Sequence, residues 1–189
     1  MKKSDTIIVL DYGSQYTQLI ARRVREMKVY SEILPWDADV ATLLAASPRG
    51  VILSGGPSSV RDEEAPSMDP RLLESGIPIL GICYGMQVLA QRLGGRVEKG
   101  CRAEYGRTRV SLRKSPLFEG LPGELTVWMS HWDQVAELPA DAAIIAQSES
   151  GIPAGFALPE RGIYAIQFHP EVAHTVGGQE ILSNFLFRV

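Results

Sequence analysis

The sequence predicts a three-layer α/β protein in which helices cover both faces of a mostly parallel, open sheet. Two observations indicate this fold class. In the first half of the chain, short apolar runs alternate with segments whose apolar residues recur at helical spacing, and this alternation is typical of parallel sheets. In the second half, short runs rich in strand-forming residues are separated by turn residues. That pattern predicts antiparallel strands that extend or back the sheet.

The elements of the first half follow from run length, β-branching and apolar spacing. Four short apolar runs predict buried strands over residues 6–10, 29–34, 50–54 and 77–82. Apolar residues three and four apart predict helices over residues 16–27, 39–46 and 86–93. Pro48 and the pair Gly94-Gly95 follow the last two helices, at positions where helices commonly stop. Residues 57–69 are rich in serine, proline and acidic residues and are predicted to form a loop.

The second half is predicted to add five strands and a final helix. The strand runs are bounded by turn residues and cover 108–112, 125–129, 143–146, 155–158 and 163–168. Leu182, Phe185, Leu186 and Val189 then follow at helical spacing. Neither a repeat nor a linker interrupts the chain, so residues 1–189 are expected to form a single domain.

Composition and charge exclude several functional classes. Of the 189 residues, 45% are hydrophobic and 22% are charged, which is close to the globular average and excludes a disordered or coiled-coil architecture. The 19 basic and 22 acidic residues give a net charge of −3, so no nucleic-acid partner is expected. No apolar run approaches the roughly 18 residues of a membrane span, and no signal-peptide pattern is found. We therefore expect no membrane contact and a cytoplasmic location.

The first chemical motif is a cysteine between a predicted strand and a predicted helix, in the pattern Gly81-Ile-Cys83-Tyr-Gly85. It matches a nucleophile elbow with cysteine in place of serine, where a sharp turn requires small flanking residues. The N–H of Tyr84 and the helix N-terminus would favour a thiolate and a developing oxyanion. A buried structural cysteine is the alternative. Cys101 precedes Arg102 without such a pattern, so we expect it to be non-catalytic.

The second motif is His169-Pro170-Glu171, which directly follows the last predicted strand. A cysteine nucleophile needs a base, and the base needs an orienting acceptor. Histidine and glutamate two residues apart would alternate faces on a regular strand. Because Pro170 breaks the strand, both side chains could turn toward one site. The alternative is a histidine at a strand end beside a solvent-facing glutamate.

Other residues carry weaker signals. The turn Ser54-Gly55-Gly56-Pro57 follows a predicted strand and would let backbone N–H groups approach a ligand, although such turns are often only turns. The segment 11–14 follows the first strand and is either part of a site or an ordinary strand-to-helix turn. His131 either lines a cleft or is a satisfied, partly buried histidine. The three histidines show no zinc-binding spacing, so no metal is expected.

Taken together and in this order, these motifs resemble the triad, or class-I, glutamine amidotransferase family. The resemblance covers nearly the whole chain and is carried by residues 11–18, 52–57, 81–87, 128–131 and 167–175. Segments 11–16 and 128–131 are similar to the branch of this family that serves GMP synthesis. The resemblance implies a flavodoxin-like open sheet and hydrolysis of the glutamine side-chain amide to glutamate and ammonia.

The resemblance also implies roles for the matching residues. Cys83 would be the nucleophile that forms a γ-glutamyl thioester. His169 would act first as the base and then as the acid that protonates the leaving ammonia, and Glu171 would orient His169. The backbone N–H groups of Gly56 and Tyr84 would form the oxyanion hole. Contacts to the amino-acid end of glutamine would come from Gln87, Ser130 and His131.

A synthetase partner is a further implication. In the family, ammonia passes to an ATP-pyrophosphatase domain or subunit that aminates XMP to GMP. This chain carries no signature of that enzyme, so ATP and Mg²⁺ would belong to the partner and no cofactor is expected in this domain. The body of the sequence is similar to the fused bacterial form, so we expect an excised domain rather than a free-standing subunit.

One residue departs from the family pattern, and two other functions stay open. Trp132 follows Ser130-His131 where this branch usually carries glycine; we expect its indole to lie outward rather than in the glutamine pocket. A cysteine peptidase or γ-glutamyl hydrolase of similar fold would use the same Cys83 and His169. The other alternative is a docking or regulatory subunit whose glutaminase is silent without its partner.

Overall fold

The computed structural model describes residues 5–189, with the side chains of residues 101–103 outside that description. Within these residues nine strands form one sheet: β1 (Thr6–Asp11), β2 (Tyr30–Pro35), β3 (Gly50–Leu53), β4 (Ile79–Ile82), β5 (Arg96–Leu112), β6 (Glu124–Glu137), β7 (Ala143–Ser148), β8 (Pro153–Leu158) and β9 (Ile163–Ile166). The helices of the same range are α1 (Thr17–Glu26), α2 (Val40–Ala45), α3 (Arg71–Glu74), α4 (Tyr84–Arg92) and α5 (Gly178–Phe187). None of the helices in the described range is long and apolar enough to cross a membrane.

The sheet confirms the predicted fold class. Its strand order is β2-β1-β3-β4-β9-β8-β7-β5-β6. The first five strands in this order pair in parallel, and every pairing from β9 onward is antiparallel. The strands of the second half therefore extend the sheet instead of backing it.

The direction of β9 corrects one expectation. The sequence pattern groups residues 163–168 with the antiparallel runs, but β9 pairs in parallel with β4, with Ile79 opposite Ile163, and is antiparallel only to β8. A short buried run has the same apolar pattern in both arrangements, because the direction of pairing depends on the neighbour and not on the run. As a result, β9 ends at the same sheet edge as β4.

Two strands are much longer than their apolar runs. β5 and β6 extend over Arg96–Leu112 and Glu124–Glu137, whereas the runs predict strands over 108–112 and 125–129. The two strands pair along most of their length with irregular register near Lys99 and Glu104. Hydrogen bonds between the two strands satisfy the backbone N–H and C=O groups of their polar residues. A search for apolar runs does not detect these residues as part of a strand. The segment from Ser130 to Trp132 therefore lies on a strand.

Helices pack on both faces of the sheet, as expected. Side chains alternate along β1, so Ile7 and Val9 belong to one apolar cluster and Ile8 and Leu10 to another. The first cluster contains the buried apolar side chains of α1 and α5, and the second contains those of α2, α3 and α4. This layered core fixes the sheet edge from which the functional side chains project.

Polar and glycine-rich segments gather where parallel strands end. The carboxyl ends of β1, β3, β4 and β9 lie side by side. The residues that follow these strands are 12–14, 54–57, 83 and 167–169. Open α/β sheets bind ligands at this edge, so the motifs found in the sequence converge here.

Candidate active site

Cys83 occupies a strained turn between β4 and α4. Its backbone has φ +54° and ψ −106°, a conformation that costs a non-glycine residue on the order of 1–3 kcal/mol. A Cβ atom on Gly81 would come within 2.6 Å of the Gly85 carbonyl oxygen, and one on Gly85 within 2.5 Å of the Leu53 carbonyl oxygen. The turn therefore requires both glycines, as the elbow pattern predicts, and it holds the sulfur at the sheet edge.

His169 and Glu171 form a buried pair beside this sulfur. The His169 Nδ1 donates to Glu171 Oε1 over 2.7 Å, so Pro170 does turn both side chains toward one site. Burial alone would lower the pKa of His169, but hydrogen bonds with Cys83 and Glu171 outweigh burial and raise this pKa to about 11. The raised pKa is that of an imidazolium held between a sulfur and a carboxylate.

The Glu171 carboxylate is almost completely enclosed. Its side chain is 0% exposed, and its Oε2 has no hydrogen-bond partner within the described part of the chain. The Glu171 carbonyl accepts from Arg23 Nε on α1 over 3.2 Å. A buried carboxylate is costly unless a cation compensates it, and the His169 imidazolium provides that charge.

The backbone around His169 is fixed by the β6 strand. The His169 N–H donates to the Trp128 carbonyl over 3.1 Å. The Thr175 hydroxyl donates to the His169 carbonyl over 2.6 Å and accepts from the Trp128 N–H over 3.0 Å. The Tyr16 ring lies edge-on to the imidazole, with centroids 5.3 Å apart. These contacts from three segments leave the ring little freedom to move away from Cys83.

Gly56 and Tyr84, the predicted oxyanion donors, line the same cavity as Cys83. Tyr84 is the first residue of α4, so its N–H lacks an acceptor within the helix. A Cβ on Gly56 would lie 2.6 Å from the Tyr12 carbonyl oxygen, which explains why this position is glycine. Both residues line the larger cavity described next.

Two cavities meet at Cys83. The larger, of about 380 Å³, is lined by Gln87, Arg61, Lys99, Ser130, His131 and Asp133 among others. The smaller, of about 330 Å³, is lined by Gly13, Ser14, Gln15, Tyr16 and His169. Gly56, Pro57, Cys83 and Ser130 line both. The sulfur is therefore reached from two sides, and His169 lines the smaller cavity.

The three predicted substrate contacts, Gln87, Ser130 and His131, all line the larger cavity, but each of them also has a partner within the protein. The Ser130 carbonyl oxygen lies 3.8 Å from Cys83 Sγ. His131 is buried, with Nδ1 2.9 Å from the Asp133 carbonyl and Nε2 3.2 Å from Glu104 Oε2. The hydrogen bond from His131 is the main reason that the pKa of Glu104 is lowered. Both ring nitrogens of His131 are thus engaged by the protein.

The sequence does not predict a set of contacts beside the larger cavity, here called the clasp, in which Ser59 and Arg61 bind Asp133. The buried Asp133 carboxylate accepts a short hydrogen bond from the Ser59 hydroxyl. It also forms an ion pair with Arg61, whose Nη2 lies 3.2 Å from Asp133 Oδ1. Ser59 and Arg61 belong to the loop that follows β3, so this clasp ties that loop to β6. The sequence predicts the loop, but no local signal indicates which distant strand it contacts.

Gln167 is the second residue whose contacts were missed. It directly follows β9, is 1% exposed, and its Nε2 donates to Cys83 Sγ over 3.7 Å. Its Oε1 accepts from Gln87 Nε2 over 3.3 Å. The sequence analysis includes Gln167 in the segment 167–175 but predicts no role for it. No local sequence pattern indicates that a glutamine at a strand end is buried or what its amide contacts.

Trp132 lies on the outer rim of the larger cavity. Its side chain is 54% exposed and contacts the Tyr105 ring edge-on at a centroid distance of 6.2 Å. Lys99 Nζ lies 5.7 Å from the centre of the Trp132 ring. Because side chains alternate along β6, the indole faces solvent where the neighbouring His131 and Asp133 face inward. The expected outward placement agrees with this geometry.

Three weaker sequence predictions concern segment 11–14, metal binding and Cys101. Asp11 Oδ1 accepts from the Gly13 N–H and the Thr17 hydroxyl, which is turn chemistry, while Gly13 and Ser14 also line the smaller cavity. Among the described residues, no group of three or more His, Cys, Asp or Glu could hold a metal ion. The side chain of Cys101 lies outside the described residues, so its non-catalytic interpretation stays a prediction.

Comparisons with a family model and with curated proteins point to the same family. The family model described as glutamine amidotransferase class-I matches residues 8–189. The chain is 55% identical over 180 residues to a glutamine-hydrolyzing GMP synthase of Thermus thermophilus, covering 95% of this chain and 36% of that protein. It is 53% identical over 184 residues to the corresponding protein of Aquifex aeolicus, covering 97% of this chain and 36% of that protein. The chain thus spans little more than a third of these curated relatives.

A solved structure gives the same result in three dimensions. The crystal structure of a protein from Thermoplasma acidophilum, described as part of a GMP synthase, superposes with a TM-score of 0.82 at 40% identity. The match covers 96% of this chain and 92% of that one. A glutamine amidotransferase from Thermotoga maritima, 24% identical with a TM-score of 0.70 over 88% of this chain and 76% of that one, shares the fold. This chain belongs to the class-I glutamine amidotransferase family.

Proposed function

We propose that the chain hydrolyses the side-chain amide of L-glutamine and supplies the ammonia to an ATP-pyrophosphatase that aminates XMP to GMP. The observation that carries this proposal is Cys83 on its strained turn, with the His169–Glu171 pair beside its sulfur and a cavity on each side. The names of the relatives support the substrate and the destination of the ammonia. Residues 1–189 would then be one glutaminase domain, and ATP and Mg²⁺ would bind to the synthetase; a cytoplasmic location fits this role.

The first half-reaction would form a γ-glutamyl thioester. The Cys83 thiolate attacks the amide carbon of glutamine, and the negative charge that develops on the oxygen is stabilised by the N–H groups of Gly56 and Tyr84. The His169 imidazolium then gives its proton to the amide nitrogen, the C–N bond breaks, and ammonia leaves. Glu171 keeps Nδ1 of His169 protonated, so that Nε2 performs both proton transfers.

The second half-reaction would release glutamate. Neutral His169 takes a proton from water as the oxygen attacks the thioester carbon. The C–S bond breaks, the sulfur leaves as a thiolate, and the thiolate–imidazolium pair is restored. Each residue therefore ends the cycle in the protonation state in which it began.

The two cavities suit two different molecules. Glutamine carries a charged amino-acid end, and the larger cavity is lined by the charged residues Arg61, Lys99 and Asp133. Ammonia is small and forms where His169 protonates the nitrogen, and His169 lines the smaller cavity. We expect glutamine to enter through the larger cavity and ammonia to leave through the smaller one.

The test of this function is ammonia release from glutamine, measured with the chain alone and with an added synthetase that lacks its own glutaminase. We expect release that depends on Cys83 and increases with the partner. A glutamine-mimicking diazoketone should label Cys83 in the same preparation, as located by peptide mapping. The raised pKa of His169, about 11, keeps its ring protonated at pH 6.5, and a cation beside the sulfur favours the reactive form of the thiol, so we expect labelling already at that pH.

Three results would contradict the assignment. Label on Cys101 with Cys83 unmodified would remove Cys83 from the nucleophile's role. Turnover of γ-glutamyl peptides without turnover of glutamine would favour a γ-glutamyl hydrolase. A chain that stays silent with glutamine and with the partner would favour the docking role instead.

Replacing Trp132 by glycine tests the placement of the indole. Because the ring lies on the outer rim, we expect the KM for glutamine to change by less than about threefold, which is roughly 0.65 kcal/mol of binding. Steady-state kinetics check this, with Trp36→Gly as a control for loss of an exposed tryptophan outside both cavities. A tenfold drop in KM would show that the indole obstructs the pocket.

A further inference from the structure

We infer that Gln167 is a catalytic residue whose amide N–H stabilises the Cys83 thiolate, and that Gln87 is the positioning residue that aims this amide at the sulfur. The inference rests on the proposed function, since it concerns the same nucleophile. It assigns a role to Gln167, which the triad, the oxyanion hole and the predicted substrate contacts leave unexplained, and a second role to Gln87 beside its predicted contact with glutamine. The observation behind it is a chain of three hydrogen bonds from β6 to the sulfur.

The direction of this chain follows from its first acceptor. The Asp133 carbonyl can only accept, and Gln87 Nε2 lies 2.9 Å from it. Gln87 therefore presents its NH₂ group to β6, and the second N–H of that group points to Gln167 Oε1 at 3.3 Å. With its oxygen so engaged, Gln167 must turn its own NH₂ group to Cys83 Sγ, at 3.7 Å. A flipped Gln87 amide would place its oxygen against the Asp133 carbonyl, and a flipped Gln167 amide would place its NH₂ group against that of Gln87.

Burial makes this donor effective. Gln167 is 1% exposed and lines neither cavity, so water does not compete for the sulfur on the side that this amide occupies. A hydrogen bond to an ionised group contributes more than one to a neutral group. The sulfur has two other neighbours. His169 forms a hydrogen bond with it, and the Ser130 carbonyl oxygen, 3.8 Å away, has no hydrogen to donate.

The same donor acts twice in the reaction cycle. Before attack it stabilises the thiolate that carries the electron pair for the new C–S bond. During hydrolysis of the thioester the C–S bond breaks, the pair returns to the sulfur, and the leaving thiolate again accepts the Gln167 N–H. Gln87 transfers no proton; it acts by keeping the Gln167 oxygen away from the sulfur.

The experiment measures the rate of Cys83 alkylation by iodoacetamide from pH 5 to pH 10, with mass mapping to separate Cys83 from Cys101. For Gln167→Met we expect at least a tenfold lower rate at pH 6 and a rate within about twofold of the unmodified protein at pH 10. Such a loss confined to low pH is the mark of a less stable thiolate. Gln167→Glu, which matches the amide in shape but places a carboxylate at the sulfur, should lose more at pH 6.

Further variants separate a chemical effect from a structural one. Gln87→Met should show a smaller loss at pH 6, because the Gln167 amide stays but loses its orienting partner. Gln91→Met is the matched control, since Gln91 also lies on α4 but bonds the Val60 carbonyl away from the sulfur. In glutamine hydrolysis, Gln167→Met should lower kcat about tenfold and leave KM within about threefold.

A Gln167→Met profile that superimposes on that of the unmodified protein, or that falls equally at every pH, would overturn the inference. If Gln167→Met does not fold, an unchanged profile for the Gln87→Met and Gln167→Glu variants would overturn it in the same way. Failure of the proposed function has a different signature. In that case the unmodified protein itself would show a Cys83 that reacts like an ordinary thiol at pH 6.

Discussion

Cys83→Ala and His169→Ala are each expected to reduce glutamine hydrolysis by about 10³-fold or more. Without the sulfur no thioester forms, and without the imidazole neither the attack nor the departure of ammonia has a proton carrier. Glu171→Ala should retain at least about tenfold more activity than His169→Ala, because an orienting carboxylate makes and breaks no bond. Steady-state rates with glutamine and thermal unfolding of each variant test this ranking.

The conservative variant Cys83→Ser serves as a control for packing at the turn. It keeps the side-chain shape at φ +54° and should unfold at the same temperature as the unmodified protein while being as inactive as Cys83→Ala. Activity in His169→Ala equal to that of the unmodified protein would remove the histidine from the reaction. Activity in Glu171→Ala as low as in His169→Ala would mean that the carboxylate does more than orient the ring.

The parallel core was predictable from the sequence because its strands are buried on both faces. Such strands have continuous apolar runs bounded by turn residues, as in 50–54 and 77–82, and the observed β3 and β4 fall within those bounds. The lengths of β5 and β6 were not predictable, because polar residues such as Lys99 and Gln134 join the sheet through pairing and not through burial. The parallel direction of β9 was hidden for a different reason, because its neighbour β4 and not its own buried apolar run decides how it pairs.

The candidate site was predictable where chemistry is encoded locally. The elbow around Cys83 and the histidine–glutamate pair separated by Pro170 each specify a turn and a function within five residues. Contacts that cross the sheet were not predictable in this way. The clasp from Ser59 to Asp133 and the contact from Gln167 to Cys83 each join segments more than seventy residues apart, so they exist only once the strand order is known.

Gly178→Ala is expected to disrupt the triad from outside the site. Gly178 is the first residue of α5, and a Cβ there would lie 2.0 Å from the Pro170 carbonyl oxygen and 2.9 Å from its carbon. These are backbone atoms of the residue between His169 and Glu171, so the methyl group must displace either that segment or the start of α5. Such overpacking costs about 1–3 kcal/mol or more. A displacement of about 1 Å at a reacting group lowers the rate about a hundredfold.

The measurements are the unfolding temperature and the rate of glutamine hydrolysis well below it, so that loss of activity is scored on folded protein. Gly123→Ala is the matched control, because a Cβ at Gly123 meets nothing within 4 Å and its backbone is not left-handed. We expect the control to match the unmodified protein in both measurements. A Gly178→Ala variant with unchanged stability and rate would mean that α5 shifts freely without moving Pro170. The tight contact would then have no part in holding His169 and Glu171 together.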